Sequence, residues 1–289
     1  MKIRQIFTQP ATALALYIAI SGTPALAFDL VTDGQITVAF TGDMPGSGWQ
    51  DGKLIGYDGE IMQSVADRLG LSVTPALMEW SGTIASVQAG RVDVMLGTMG
   101  WTKQRTELMT LSEPIHYFRN GIMQSADTNW NTLADLEGKR VGSITGFSFV
   151  PELRSIDGLE LSLYDTSDAA VRDLLAGRID AVVADPPVIS FAIKQNPDWN
   201  MKFTAFTDNK PDFPLLTSMG QTVFGFNTED DDLRQAVDEI VLEMWSTCAM
   251  QEIGAKYGLE DNVWFTVSGA NQRAGVDRPD NYELPQCDF

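Results

Sequence analysis

The chain has 289 residues, 44% of them hydrophobic, enough for two compact cores of ordinary domain size. Its formal net charge of −19 opposes binding to nucleic acid and to anionic membrane surfaces. One histidine and two cysteines, with no CxxC or HxxxH spacing, speak against a metal centre, and no cofactor is implied.

Met1–Ala27 reads as an export signal: Lys2 and Arg4 precede the apolar stretch 11–20, and Ala25-Leu26-Ala27 supplies a small-x-small cleavage pattern. Its removal leaves 18 basic against 39 acidic residues, a mature charge of −21. The apolar stretch is short for a bilayer span, and residue 28 is Phe rather than an acylatable Cys. A periplasmic protein without a membrane anchor is expected.

Residues 35–40 (QITVAF) predict a first strand, followed by a glycine-rich loop, 41–49, that ends at Trp49. Asp51-Gly52-Lys53 predicts a hairpin turn, and 56–70 a helix with Ile61, Val65 and Leu69 on one face and Asp58 and Glu60 at its amino end. The segment 89–105 then has a partial second copy. AGRVDVMLGT at Ala89 is echoed by AGRIDAVVAD at Ala176, 87 residues later. In each, an apolar helical face ends at a glycine placed for a left-handed cap, Gly90 or Gly177, and a short buried run follows. These are αβ units of a parallel sheet, and the chain reads as two-lobed. Ligands sit beyond the carboxyl ends of such strands, where Thr98 and Asp185 fall, so two ends facing each other would make a cleft.

Further on, 138–144 predicts a turn and strand, and Thr145-Gly146-Phe147-Ser148 a strand-to-helix turn whose backbone N–H groups would suit an anion. A last long helix is expected over 233–250, with Ala236, Val237, Ile240, Val241 and Met244 on its packed side. The tail, 269–289, is rich in Pro, Asn, Asp and Gly. An oxidising compartment favours a disulfide between Cys248 and Cys287, tying that tail to the helix.

The stretch GYDGEIMQSVADRLG at Gly56 resembles the G-F-D-x-D-L signature of the extracellular solute-binding proteins, family 3, the polar amino acid binding proteins of ABC transporters, with Gly59 standing where that family has an aliphatic residue. The likeness continues through Trp80-Ser81-Gly82-Thr83-Ile84, AGRVDV, Thr102-Lys103-Gln104-Arg105, 111–117, 136–142, AGRIDAVVAD and Phe224-Gly225-Phe226. It implies a two-lobed α/β periplasmic binding protein fold, each lobe a mostly parallel sheet flanked by helices. Residues 28–119 with 225–289 would form lobe one and 120–224 lobe two, joined by a two-strand hinge crossing near 120–124 and 222–226.

The resemblance also assigns roles. Arg105 would clamp a ligand α-carboxylate with its planar fork, aided by Thr98 and the N–H of Gly100, where many relatives carry Ser or Thr. Asp185 would take the α-ammonium, since an unpaired carboxylate in a cleft is costly; it also reads as a cap before Pro186-Pro187. Trp80, Trp49, Trp101, Tyr117, Phe147 and Ser148 would border the pocket, which suits an apolar, aromatic or cationic ligand group. The implied partners are a small zwitterionic solute and an ABC permease. Two other readings stand beside this non-enzymatic one: an accessory or sensor module for a periplasmic oxidoreductase, and a cyclohexadienyl dehydratase-like enzyme, which needs a general acid and has only Glu79 and Glu113 nearby besides Asp185.

Overall fold

Every residue after Gln35 in the first strand is buried, the pattern of a central strand covered on both faces. The computed structural model describes residues 28–259, 264–266, 271–285 and 287, so the expected export signal lies outside the described residues. The first part of the chain supplies β1 (Gln35–Phe40), β2 (Gly48–Gln50), β3 (Lys53–Ile55), α1 (Tyr57–Leu69), β4 (Ser72–Leu77), α2 (Trp80–Gln88), β5 (Val94–Met95), α3 (Lys103–Thr106), β6 (Thr110–Leu111) and β7 (His116–Arg119). Next come β8 (Gly121–Ser125), β9 (Arg140–Ile144), α4 (Val150–Arg154), β10 (Glu160–Tyr164), α5 (Ser167–Leu175), β11 (Ala181–Val182), α6 (Pro186–Gln195) and β12 (Met201–Ala205). The last part holds α7 (Pro214–Thr217), β13 (Met219–Thr222), β14 (Gly225–Phe226), α8 (Asp231–Ser246) and α9 (Ala249–Lys256).

Two five-stranded sheets result, ordered β4-β1-β5-β14-β6 and β10-β9-β11-β8-β12. In each, three strands run parallel and the fourth joins antiparallel, so the two lobes share one plan. The echoed segments occupy equivalent places: β5 and β11 are the third strands of their sheets, and the glycines before them take positive φ, 62° at Gly90 and 69° at Gly177. The echoed aspartates have a structural task. Asp93 accepts the N–H groups of Val31 (2.8 Å) and Thr37 (2.5 Å), and Asp180 accepts that of Arg140 (2.9 Å), so each staples the start of its strand to a neighbour.

Each lobe has its own apolar core. One gathers Ile36, Val38, Phe40, Ile61, Val65 and Phe226 under α1 and α8, and the other Ile122, Val141, Leu153, Val183 and Phe206. Between the sheets, β7 and β13 pair antiparallel as a two-stranded ribbon, Arg119 opposite Met219 and His116 opposite Thr222. This pairing lies a few residues ahead of the expected crossings: 121–125 already runs inside the second sheet, and 225–226 inside the first. Among the described residues no helix is long and apolar enough to cross a membrane.

The expected helix over 233–250 is two helices. It stops at Ser246, and Cys248 takes a left-handed φ of 62° before α9 begins, which redirects the chain. That bend presents Cys248 to the tail, and the structure joins it to Cys287 across 39 residues, with a Cα–Cα distance of 5.2 Å. Loop closure of this size stabilises a fold by about 4 kcal/mol in the chain-entropy model. Reduction is expected to lower the unfolding free energy obtained from urea titration by an amount of that order, seen as a lower midpoint, and unchanged denaturation curves with and without reductant would show that the bridge contributes nothing.

Candidate functional site

Gly97, with a φ of 125°, and Thr98, with a φ of 51°, turn the chain sharply after β5. A β-branched residue is strained in that region, and Asp58 holds it there. Buried at the start of α1, the Asp58 carboxylate accepts the N–H groups of Thr98 (2.6 Å) and Gly97 (3.3 Å). Burial still raises its pKa to about 6. The sequence placed Asp58 only as a helix-terminal charge; its work is to shape the turn that carries Thr98.

Thr98 then reaches across to the other lobe. Its Oγ1 donates to Asp185 Oδ2 at 2.6 Å, joining residues 87 positions apart, the same offset as the sequence echo. The two equivalent strand ends therefore meet. A second link between lobes is the Trp80 indole N–H, which donates to the Gly146 carbonyl (3.3 Å). These contacts bring the lobes together around a cleft lined by Trp80, Thr98, Gly100, Trp101, Arg105, Phe147, Ser148 and Asp185.

Arg105 sits in the short helix α3, whose cap Thr102 accepts the Arg105 backbone N–H at 3.1 Å. This fixes the residue so that its guanidinium lies 5.5 Å from the Trp80 ring centroid and donates to the Gly100 carbonyl. Only 9% of Arg105 is exposed, and burial lowers its pKa to about 10. No ion pair to it is found among the described residues. Asp185 is in the same position with the opposite sign: burial pushes its pKa up to about 8, outweighing the Thr98 hydroxyl, and it too forms no ion pair among the described residues. The Trp80 ring beside them meets Phe147 of the other lobe edge to face, 5.9 Å between centroids.

Beyond Trp80 the space continues into a chamber lined by Thr41, Asp43, Glu79, Asp165, Thr166 and Ser167, with Asp185 shared. Burial raises the Asp43 pKa. Four carboxylates thus look into this end. Of the acids proposed from sequence for chemistry, Glu79 is here, whereas Glu113 is buried elsewhere and bonded to Arg278 at 2.7 Å. His116 is buried against Tyr57 and Trp264, and burial lowers its pKa to about 4.

Two of the ten predicted lining residues lie elsewhere. Trp49 belongs to the β2–β3 hairpin, opposite Leu54, and is 38% exposed. The loop before it does border the acidic chamber through Thr41 and Asp43, but the turn at 43–47 docks onto α1, where the Pro45 and Gly46 carbonyls accept the Tyr57 and Gly59 N–H groups, and leads Trp49 away. Tyr117 faces the lobe-one core, 6.0 Å from Trp245 between centroids. Its neighbour Phe118 lines the cleft instead, because alternate residues of a strand face opposite sides. Phe118 also explains Gly100: a Cβ there would meet the Phe118 ring at 3.1 Å, so an aromatic edge fills the place of a hydroxyl side chain. The expected anion site at 145–148 changes as well. The N–H groups of Thr145 and Phe147 donate to the Tyr164 and Ile144 carbonyls, and the helix that follows starts only at Val150.

The sequence model of the bacterial extracellular solute-binding proteins, family 3, matches residues 36–260. The chain belongs to this family. One relative, the probable amino-acid-binding protein YxeM of Bacillus subtilis (strain 168), is 27% identical over 236 residues, 79% of this chain and 86% of the relative. The L-cystine-binding protein TcyJ of Escherichia coli (strain K12) is 26% identical over 231 residues, 78% of this chain and 82% of its own. An ancestral arginine-binding protein, solved bound to glutamine, is similar with a TM-score of 0.68 at 25% identity, over 79% of this chain and all of the other, 100%. The two-lobed architecture of this family-3 chain and a solute-binding role follow from these matches.

Proposed function

We propose that this protein closes its lobes on a small zwitterionic solute, an amino acid or related compound, in the periplasm, and delivers it to an ABC permease. One observation carries this reading: a buried guanidinium and a buried carboxylate lie in one cleft, each without an ionic partner among the described residues. Unpaired buried charges are expensive, and a ligand bearing carboxylate and ammonium together compensates both. Arg105 takes the carboxylate and Asp185 the ammonium. Trp80 and Phe147 cover the ligand's carbon skeleton, and the acidic chamber suits a cationic or hydrogen-bonding side chain. The ribbon of β7 and β13 serves as the hinge.

An L-cystine-binding protein, a probable amino-acid-binding protein and an arginine-binding protein solved with glutamine are among the similar proteins, which supports the same ligand class here. For the dehydratase-like reading, Glu113 is bonded to Arg278 away from the cleft lining, which leaves Glu79 and Asp185 as the bordering acids weighed from sequence. A thermal-shift screen of ligand-free mature protein against amino acids, quaternary amines and small carboxylates tests the proposal. A ligand at one hundred times its Kd adds about 2.7 kcal/mol of stability. A shift with a zwitterion and none with its decarboxylated or deaminated analogue is the expected result; no shift with any compound would overturn it and turn attention to a protein partner.

A further inference from the structure

The family's sequence model stops at residue 260, yet described residues after it, from 271 onward, are anchored against lobe one and the cleft. Arg273 is wholly buried; it donates to the carbonyls of Ser112 (2.6 Å) and Leu111 (3.4 Å) and pairs with Asp277 at 2.6 Å. Arg278 reaches Glu113 (2.7 Å), the Leu111 carbonyl (3.1 Å) and Asp238 (3.3 Å), while Tyr282 Oη donates to Glu113. The disulfide at Cys287 secures the far end. A buried charge network of this kind favours one geometry, because its charges have left water and are compensated by one another.

From this anchored segment three contacts run to the cleft and its ribbon. The Trp101 indole N–H donates to Asp277 (3.2 Å), while the Trp101 backbone N–H donates to the Gln221 carbonyl of β13 (2.7 Å). Gln221 Nε2 donates to Asn271 Oδ1 (3.0 Å). Gln272 Nε2 donates to the Met219 carbonyl (3.2 Å), and its side chain lines the same cleft as Trp101, Arg105 and Asp185, at the end formed by Phe118 and Gly220.

We infer that residues 271–278 are a working part of the ligand site: Asp277 positions the Trp101 ring in the cleft, and Gln272 closes its ribbon-side end and so helps choose among solutes. The inference rests on the solute-binding reading above. Gln272 offers an amide that both donates and accepts, so it discriminates ligands by the polar groups they carry at that end. Asp277 is a positioning residue, acting through the indole it holds.

The test uses isotope-labelled full-length mature protein, with the Trp101 indole resonance assigned by its loss in Trp101→Phe, and calorimetric Kd values for the twenty standard L-amino acids and L-cystine. Asp277→Asn is expected to move the indole resonance and speed its exchange with water. Gln272→Ala, an exposed substitution with an unchanged Tm, is expected to alter Kd by about two- to tenfold, the worth of one hydrogen bond, and unequally between ligands. A purely structural tail would change Tm in Asp277→Asn and leave the indole and all Kd ratios alone; that result overturns the inference. If wild type binds none of the panel, the solute-binding reading fails on its own, and the tail's hold on Trp101 is judged by the indole: unmoved in Asp277→Asn, the inference falls too.

Discussion

Arg105→Ala is expected to weaken binding of the solute found by screening severely while leaving the fold intact. The guanidinium lies in the cleft with one N–H committed to the Gly100 carbonyl and its face over Trp80, and the rest of the fork is available to a carboxylate. Removing one partner of a buried charge pair costs about 2–5 kcal/mol, roughly thirtyfold to several-thousandfold in Kd. Arg105→Lys is expected to recover little, because an ammonium does not reproduce the planar two-donor geometry. Titration calorimetry together with circular dichroism reads both halves of the claim. Unchanged affinity in a folded variant would remove Arg105 from the site, and lost helicity would make it a structural residue.

Asp185→Asn is expected to have two opposite effects, on binding and on the stability of the empty protein. Burial raises the Asp185 pKa from 3.8 to about 8, so the empty folded state holds a proton that the unfolded chain has released between those values. Its contribution to stability is therefore complete below pH 3.8 and is lost as pH rises through about 8. Asparagine has no charge to desolvate. The ligand-free variant should lose less stability than wild type between pH 4 and pH 8, and be the more stable of the two at the upper end. Binding moves the other way: a ligand ammonium favours the ionised carboxylate, so wild type should release protons on binding near neutral pH, and the variant should bind a zwitterion far more weakly. Denaturation midpoints across that pH range, and calorimetry in two buffers of different ionisation enthalpy, measure these quantities. Parallel stability curves with no proton release would show that Asp185 is not a buried acid awaiting a cation.

Both expectations express a site whose residues destabilise the empty protein. Thr98 holds a left-handed backbone, Asp58 is buried to support it, and Arg105 and Asp185 are desolvated with hydrogen bonds but no ion pair among the described residues. Such costs are usual where function needs preorganised charge, and they are tolerated because two ordinary cores and a disulfide-anchored tail supply the stability.

The amino-acid sequence by itself determined the local units. A helix ended by glycine and followed by a short buried run is written in ten residues, so AGRVD and AGRID declared two matching αβ units and placed Thr98 and Asp185 at their strand ends. Arg105 stood out only through the resemblance, by the Thr102-Lys103-Gln104-Arg105 motif; by itself it lies in a polar stretch, and the structure adds that Thr102 caps the helix that carries it. Only the tertiary structure decided that Thr98 and Asp185 touch, that Phe118 rather than Tyr117 enters the cleft, that Trp49 leaves on a hairpin, and that a helix read as continuous bends at Cys248. A strand's two faces carry equally apolar residues when both are buried, so periodicity cannot say which side is the cleft. The tail shows the limit most clearly. Trp101 and Asp277 are 176 residues apart, and no pattern near either one records the other; their meeting is a property of how the lobes and the bridged terminus pack, which is long-range by nature.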